Sequence, residues 1–185
     1  YALAVSASQD KFRDNIKTEI NNGVLDISYS GGSLRYNERR NLLVYISFKT
    51  LESIEASGAC DLNINETLKA NSVKIKLSGA CQMRGAVAIT NLQLGMSGAS
   101  TLKINGTVQN LKIDASGASD AKNYDLIVDN CVADISGASD IRLSINKSVS
   151  AKASGASSLY YKGNPDRKKI STSGASSVSQ KNLIP

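Results

Sequence analysis

Residues 116–141 read SGASDAKNYDLIVDNCVADISGASDI, in which one tetrapeptide begins at Ser116 and again at Ser136. Across the whole chain the tripeptide Ser-Gly-Ala occurs seven times, and each copy is followed by Ser or Cys. The seven copies lie 18 to 21 residues apart and begin at Ser57, Ser78, Ser97, Ser116, Ser136, Ser154 and Ser173. Self-similarity at a nearly constant period of this length is the signature of a repeat architecture.

The residues beside each copy alternate between apolar and polar. Ahead of Ser116, for example, Leu111, Ile113 and Ala115 are separated by Lys112 and Asp114. Alternation with a period of two predicts half-buried β-strands. The Ser-Gly-Ala segment then predicts a tight corner, because glycine adopts a positive φ at little cost and small side chains fit beneath a neighbouring backbone. Recurring Asn and Asn-Gly predict a second corner midway between copies.

A unit of about 19 residues, made of short strands and corners without a helical pattern, is typical of one coil of a β-solenoid. We therefore predict an all-β fold, a single-chain β-solenoid (β-helix) of about seven coils. Equivalent residues of stacked coils are expected about 4.8 Å apart. The leucine-rich repeat pattern is missing, and a β-propeller blade needs roughly twice the period.

Residues 1–50 lack the repeat and contain six of the nine aromatic residues. Alternation predicts strands over 24–29 and 42–48, with a polar loop at 37–41 between them and a helical turn starting at Asp10. We interpret this region as irregular opening coils that cap the solenoid, because an open solenoid end exposes strand edges and core. The expected organisation is a single domain, 1–185, with cap strands in 1–50 and repeat coils in 51–185.

The composition excludes several classes of function. The 185 residues are 41% hydrophobic and 5% aromatic, with neither His nor Trp. Without histidine, Ser-His-Asp catalysis, Cys-His catalysis and His-ligated zinc are excluded. No run approaches the roughly 20 apolar residues that a membrane-spanning helix needs. Since the chain begins with Tyr and opens on a strand-like Ala-Leu-Ala-Val, we expect a mature or trimmed form.

The net charge of +6 is unevenly distributed. Residues 51–159 balance ten Lys or Arg against ten Asp or Glu, whereas residues 160–185 hold five basic residues and one acidic one. The excess therefore predicts a basic terminal cluster and no basic stripe along the body. Because binding to a phosphate backbone needs such a stripe, no nucleic-acid partner is expected.

The most interesting polar positions directly follow the corner. Stacking in register predicts that the carboxylates of Asp120 and Asp140 lie about 5 Å apart, close enough to bind Ca²⁺ or to act as a glycosidase pair. Arg142 lies two residues further along the same strand and shares that face. The favoured interpretation is ordinary turn chemistry, with solvated carboxylates and neither catalysis nor metal binding.

Three further groups of residues are candidates for binding. Tyr160, Tyr161 and Lys162, with the basic residues at 167–169, form the best aromatic and basic patch, suited to an acidic glycan or a lipid head group; covering the last coil is the favoured alternative. The serine column offers hydroxyls to a polysaccharide, although a tight corner also requires small residues. Cys60 and Cys81 occupy the same repeat position, where stacking brings their Cα atoms within the range of a disulfide, although free small-residue packing is the favoured alternative.

The pattern Ser-Gly-Ala-Ser-Asp at 116–120 and 136–140 resembles the repeat of the auto-transporter adhesin family with a head GIN domain. That family also has an opening pattern similar to residues 16–27, and a segment similar to 51–59 leads into its first repeat. The resemblance covers nearly the whole chain, which departs from the usual corner serine at Cys60 and Cys81. It implies a β-helical, exported bacterial protein, often from the Bacteroidetes, located in the cell envelope, on the outer surface or in the periplasm.

Together these observations favour a non-enzymatic, adhesin-like binding module without a cofactor, which contacts a surface glycan or protein through a flat face of the solenoid. A carbohydrate-active β-helix enzyme of the pectinase or lyase type is the first alternative, with Asp120, Asp140 and Arg142 as its candidate residues. The second alternative is a structural solenoid that self-associates as a homo-oligomer through its ends or edges.

Overall fold

The computed structural model describes residues 2–32 and 41–181, which form two compact units divided between Thr50 and Leu51. The first unit contains four strands and one short helix. Their bounds are β1 (Ala2–Ala7), α1 (Asp10–Arg13), β2 (Ile16–Asn21), β3 (Val24–Tyr29) and β4 (Leu42–Ser47). The two strands predicted from alternation and the helical turn at Asp10 are confirmed. Most of the polar loop predicted at 37–41 lies outside the described residues.

Strands of the first unit pair antiparallel, β1 with β4 and β2 with β3. Between β2 and β3, Asn22 and Gly23 both have positive φ, of 50° and 80°. Two central residues with positive φ make the tight hairpin turn whose twist matches that of the flanking strands. These strands are therefore hairpin-type pairs and differ from the parallel coils that the sequence led us to expect here.

The second unit contains ten strands that pair only in parallel with strands of neighbouring coils. Short strands stand at its two ends and long ones, each making most of a coil, lie between them. Their bounds are β5 (Ser53–Ala56), β6 (Asp61–Asn63), β7 (Leu68–Leu77), β8 (Gln82–Met96), β9 (Thr101–Ala115), β10 (Asp120–Ile135), β11 (Asp140–Ala153), β12 (Ser158–Lys162), β13 (Arg167–Thr172) and β14 (Ser177–Gln180).

The predicted solenoid of about seven coils is confirmed, because most residues of one coil pair with their equivalents in the next; the exceptions include the stretch from Ala121 to Leu126, where the register of β9 and β10 shifts. Gln82 of β8 pairs with Thr101 of β9, which pairs in turn with Asp120 of β10. The ladder continues through the corners, where Ala118 N–H donates to the Gly98 carbonyl at 2.8 Å. The corner glycines have φ between 68° and 82°, as the sequence predicted.

Two bends, where the sequence predicted one, divide each coil into three segments. The first bend is at glycine in several coils, including Gly106 with a φ of 112°. The second lies at a column of polar residues whose side chains form a hydrogen-bonded ladder from coil to coil. In it, Asn130 donates to Asn110 at 3.0 Å and Asn110 donates to Asn91 at 2.9 Å. We call the segment between the Ser-Gly-Ala corner and the first bend the first segment, and the one after the Asn ladder the third.

The core consists of inward-facing columns of apolar side chains, one from each coil. The column of Met83, Leu102, Ile141 and Leu159 is at most 1% exposed. No single coil encloses a core, so the apolar surface is buried only by stacking. Alternation along the strands therefore orients every outward side chain of the first segment toward solvent.

Candidate functional site

The outward side chains of the first segment form two neighbouring columns. The residues directly after each corner form the acceptor column, which is rich in side-chain oxygens. Its members are Asp61, Gln82, Thr101, Asp120, Asp140, Ser158 and Ser177. The second column stands two residues further along each strand, and in four consecutive coils it is occupied by a cation.

Asp120 and Asp140 are paired in register on adjacent strands, as the repeat predicts. Each carboxylate is ion-paired within its own strand, Asp120 with Lys122 and Asp140 with the Arg142 guanidinium at 2.8 Å. The hydrogen bond to Asp140 raises the pKa of Arg142. Each acid therefore has its own basic neighbour two residues along the same strand.

A column of four cations stands next to these carboxylates. We call it the basic column, and it consists of Arg84, Lys103, Lys122 and Arg142. Arg84 is paired in register with Lys103, and Lys122 with Arg142. In-register residues of adjacent strands lie about 4.8 Å apart, so the column consists of two close pairs; between Lys103 and Lys122 the pairing of β9 with β10 is interrupted, from Ala121 to Leu126.

This column corrects the prediction that the body carries no basic stripe. The balanced count of charges in residues 51–159 is right, but the fold places the two signs in different columns. Arg84, Lys103, Lys122 and Arg142 are 19 or 20 residues apart in sequence, at the same distance from each corner. The column can be found in the sequence if charges are compared at equivalent positions of the repeat, instead of being summed over a segment.

Aromatic rings with cations above them extend this surface toward the C-terminal coils. Tyr160 follows Arg142 in the basic column, and the Arg142 guanidinium carbon lies 5.8 Å from its ring centre. Lys181 Nζ lies 4.7 Å from the same ring, and Lys162 Nζ lies 4.6 Å from the ring of Tyr124. Hydrogen bonds with Ser158 and Ser177, followed by the charge of Lys181, lower the pKa of Tyr160.

The structure divides the predicted patch of Tyr160, Tyr161 and Lys162. Tyr160 and Lys162 face outward, but Tyr161 is 3% exposed and faces the core, because it occupies the inward position of the alternation. Burial also raises its pKa. Tyr161 is therefore corrected from a candidate contact to a core residue. The basic residues of β13 pair with the third segment of β11. They are therefore separated from Tyr160 and Lys162, which pair with the first segment of β11.

The last serine of the corner does not take part in the predicted array of hydroxyls. The last residue of each tetrapeptide is buried in four successive coils, at Ser100, Ser119, Ser139 and Ser157. Each of these hydroxyls donates to a carbonyl three residues earlier, at 2.8 to 3.0 Å. These serines close the corner and are not accessible to a ligand.

The three cysteines are free thiols, which is the arrangement favoured for Cys60 and Cys81. Cys81 and Cys131 are buried, and Cys60 is half-buried. Burial, with a hydrogen bond to Cys81, raises the pKa of Cys60 to about 12, and burial alone raises that of Cys131 to about 12. Such thiols are inert as nucleophiles near neutral pH.

A shallow groove of about 440 Å³ lies on the third segment, lined mainly by β7 and β8. It is open because Gly95 stands in an outward column between Lys76 and Asp114, where other coils carry a side chain. Among residues 2–32 and 41–181, no group of three or more Asp, Glu or Cys is arranged to hold a metal ion.

The family of the chain is decided by a sequence model. The model of the family described as "Putative auto-transporter adhesin, head GIN domain" matches residues 4–165. The chain belongs to this family. A comparison with curated proteins finds no match.

Solved structures with the same fold come from the Bacteroidetes. One described as a putative adhesin from Bacteroides fragilis has a TM-score of 0.83 and 22% identity, over 93% of this chain and 79% of the other. One from Parabacteroides distasonis, described as a putative lipid binding protein, has a TM-score of 0.69 and 19% identity, over 96% and 83%. At these identities the likeness establishes the fold alone.

Membership of this family supports an adhesin-like role and an exported or surface location for the protein. In the described part of the chain, no helix has the length and apolar character needed to span a bilayer. The family adds no catalytic residue to the surface described above.

Proposed function

We propose that the protein is a non-enzymatic, exported binding module of the adhesin type, which contacts a surface glycan or protein through the outward face of the first segment. The observation that carries this proposal is the register of that face. Side chains from successive coils stand in columns on a backbone held by parallel hydrogen-bond ladders, which are interrupted on this face only between β9 and β10, from Ala121 to Leu126. A rigid surface binds an extended partner without the loss of conformational entropy that ordering a flexible surface would cost.

The ion pairs of Asp120 and Asp140 support a binding role over catalysis. A glycosidase needs one carboxylic acid with a raised pKa and a second carboxylate able to attack or to activate water. Here each acid is held by its own cation, at 2.8 Å for Asp140 and Arg142. The groups that the enzyme alternative requires are therefore engaged with each other.

The test is an array of neutral and acidic glycans and purified surface proteins, combined with an assay for newly formed reducing ends. We expect saturable binding to at least one arrayed molecule and no release of reducing ends. Turnover that disappears in Asp140→Asn would instead establish the enzyme alternative. If nothing on the array binds and light scattering shows growth of particles with concentration, the self-associating structural solenoid is the better description.

A further inference from the structure

We propose that the ligand of this surface is an acidic polysaccharide, bound lengthwise along the basic column, with its hydroxyls on the acceptor column. The inference rests on the proposed function and deepens it by naming the ligand class and the residues. Three features carry it: the spacing of the cations, the oxygens beside them and the absence of apolar side chains from the same face.

The cations form two in-register pairs, one on each side of the register shift between β9 and β10. Arg84 and Lys103 are exposed, and neither has an ion-pair partner among the residues that the structure describes. Lys122 and Arg142 continue the row at the next two coils, where Asp120 and Asp140 partly neutralise them. The column therefore has a strongly positive pair and a weakly positive pair, and within each pair the cations are about 4.8 Å apart, a spacing that suits the closely spaced anionic groups of a linear polymer.

The acceptor column distinguishes a polysaccharide from a nucleic acid. Asp120, Asp140 and Gln82 place side-chain oxygens beside the cations. A sugar polymer supplies several hydroxyl donors to such oxygens between its anionic groups, whereas the sugar-phosphate backbone of DNA offers no donor there. In addition, the rings of Tyr124 and Tyr160 each lie against a lysine, so they are not open platforms for stacking bases.

A membrane surface fits less well. Insertion into a lipid interface needs an apolar face beside the basic one. The large exposed apolar side chains of the described coils are Ile127, Val132 and Ile170, each more than 40% exposed. Val132 and Ile170 lie in the third segments of their coils, and Ile127 lies just past the first bend, where it pairs with Ser144 at the edge of the first segment. Elsewhere the first segment presents polar side chains, small ones and the two tyrosines, so a single isoleucine at its edge supplies too little apolar surface for insertion.

The experiment compares binding of oligogalacturonate, its methyl ester and dextran sulfate. The ester keeps the sugar chain and removes its charge. We expect the native protein to bind at least one of the two acidic polymers and not the ester. Affinity should fall steeply with added salt, as for any contact between a polyelectrolyte and a row of cations.

Two double variants separate this surface from general electrostatics. Arg84→Glu with Lys103→Glu reverses two charges of the basic column, and Lys112→Glu with Lys152→Glu makes the same change in net charge on the third segment. All four side chains are exposed. We expect the first variant to lose about tenfold or more in affinity and to reduce the salt slope by about two, and the second to bind nearly as the native protein does. If charge reversal impairs folding, Arg84→Gln with Lys103→Gln is compared with Lys112→Gln with Lys152→Gln instead.

The remaining outcomes each contradict the inference in a recognisable way. Equal binding of the methyl ester, or equal loss in both variants, removes the basic column as the site while leaving the binding module intact. Duplex DNA or anionic vesicles bound as tightly as the acidic polymers, through the same two residues, would assign a different class of partner. If the protein binds neither acidic polymer, the inference is wrong. The proposed function is wrong as well only if, in addition, no glycan or surface protein on the array binds.

Discussion

At the scale of single residues, Asn123 shows how the solenoid tolerates an irregular coil. It is 3% exposed and stands in the inward column that Ile104 and Leu143 occupy in the neighbouring coils. Its side-chain oxygen accepts a hydrogen bond from the Ile104 backbone N–H at 2.8 Å. The parallel register between β9 and β10 shifts between Ala121 and Leu126, so the amide carbonyl replaces a missing backbone acceptor.

Replacing Asn123 by Ala should therefore destabilise the protein by about 1–3 kcal/mol, because the Ile104 N–H would be buried without an acceptor. Guanidinium unfolding measures the change. Ser144→Ala is the matched control: it removes a hydrogen bond of 2.7 Å to the Tyr124 carbonyl, at a half-buried position where water can replace it. If the Asn123 variant is no less stable than this control, the side chain does not repair the ladder.

At the scale of the element, the corner is defined by a column of stacked glycines. Gly98 has a φ of 70°, and a Cβ there would lie 2.5 Å from the Gly79 carbonyl oxygen. Gly95, only three residues earlier, lies in β8 with no positive φ, and a Cβ there would meet nothing nearer than Lys76 Cγ at 3.6 Å. One glycine is thus required by the fold and the other is not.

This pair gives a sharp comparison. We expect Gly98→Ala to cost at least about 2 kcal/mol of unfolding free energy, since it combines backbone strain with a clash against main chain. Gly95→Ala should be neutral or stabilising by up to about 1 kcal/mol, because it only restricts the unfolded chain. Thermal and guanidinium unfolding of the two variants decide the matter, and equal destabilisation would contradict the corner model.

The same elements show what sequence reasoning could reach. Period, alternation and the small residues of the corner predicted the coils and their register, because these depend on local sterics that repeat. The same alternation places Tyr161 inward, but it was outweighed by the neighbouring Tyr160 and Lys162, and Tyr161 was wrongly predicted to contact a ligand. The hairpin at Asn22-Gly23 was accessible as well, through a dipeptide typical of such turns. The register shift around Asn123 could not be predicted from the sequence, since one extra residue in a coil can be accommodated at either bend.

For the candidate site, the sequence placed Asp120, Asp140 and Arg142 on one face but missed the basic column. The column exists only after stacking, when residues 19 or 20 apart become neighbours. Summed charge hides it, because the acids that balance Arg84 and Lys103 lie in other columns. The ion pairs that oppose a catalytic role also depend on side-chain geometry that the pattern of residues does not specify.

At the scale of the whole molecule, buried thiols set an upper pH limit for stability. The Cys60 and Cys131 pKa values rise from 9.0 to about 12 on folding. Below pH 9 both thiols are protonated in the folded and unfolded states, so their contribution is fully present. As the pH rises above 9, the unfolded chain releases their protons and the folded one retains them, so stability falls until about pH 12.

Guanidinium unfolding under reducing conditions, at several values from about pH 8 to about pH 11, should therefore show a progressive loss of stability. The Cys60→Ala, Cys131→Ala double variant starts from a lower stability, because a buried side chain is removed, but its decline with pH should be shallower. Identical slopes for the native and variant proteins would assign the decline to other groups.

The continuous hydrogen-bond ladder through the corners has a consequence for how such a molecule can change. Each coil meets only its two neighbours, and the same corner joins every pair, so a coil can be gained or lost by duplication or deletion of one repeat without redesign of the rest. Each such event lengthens or shortens the row of outward side chains by about 4.8 Å. The length of the outward surface is therefore inherited as a whole number of repeats.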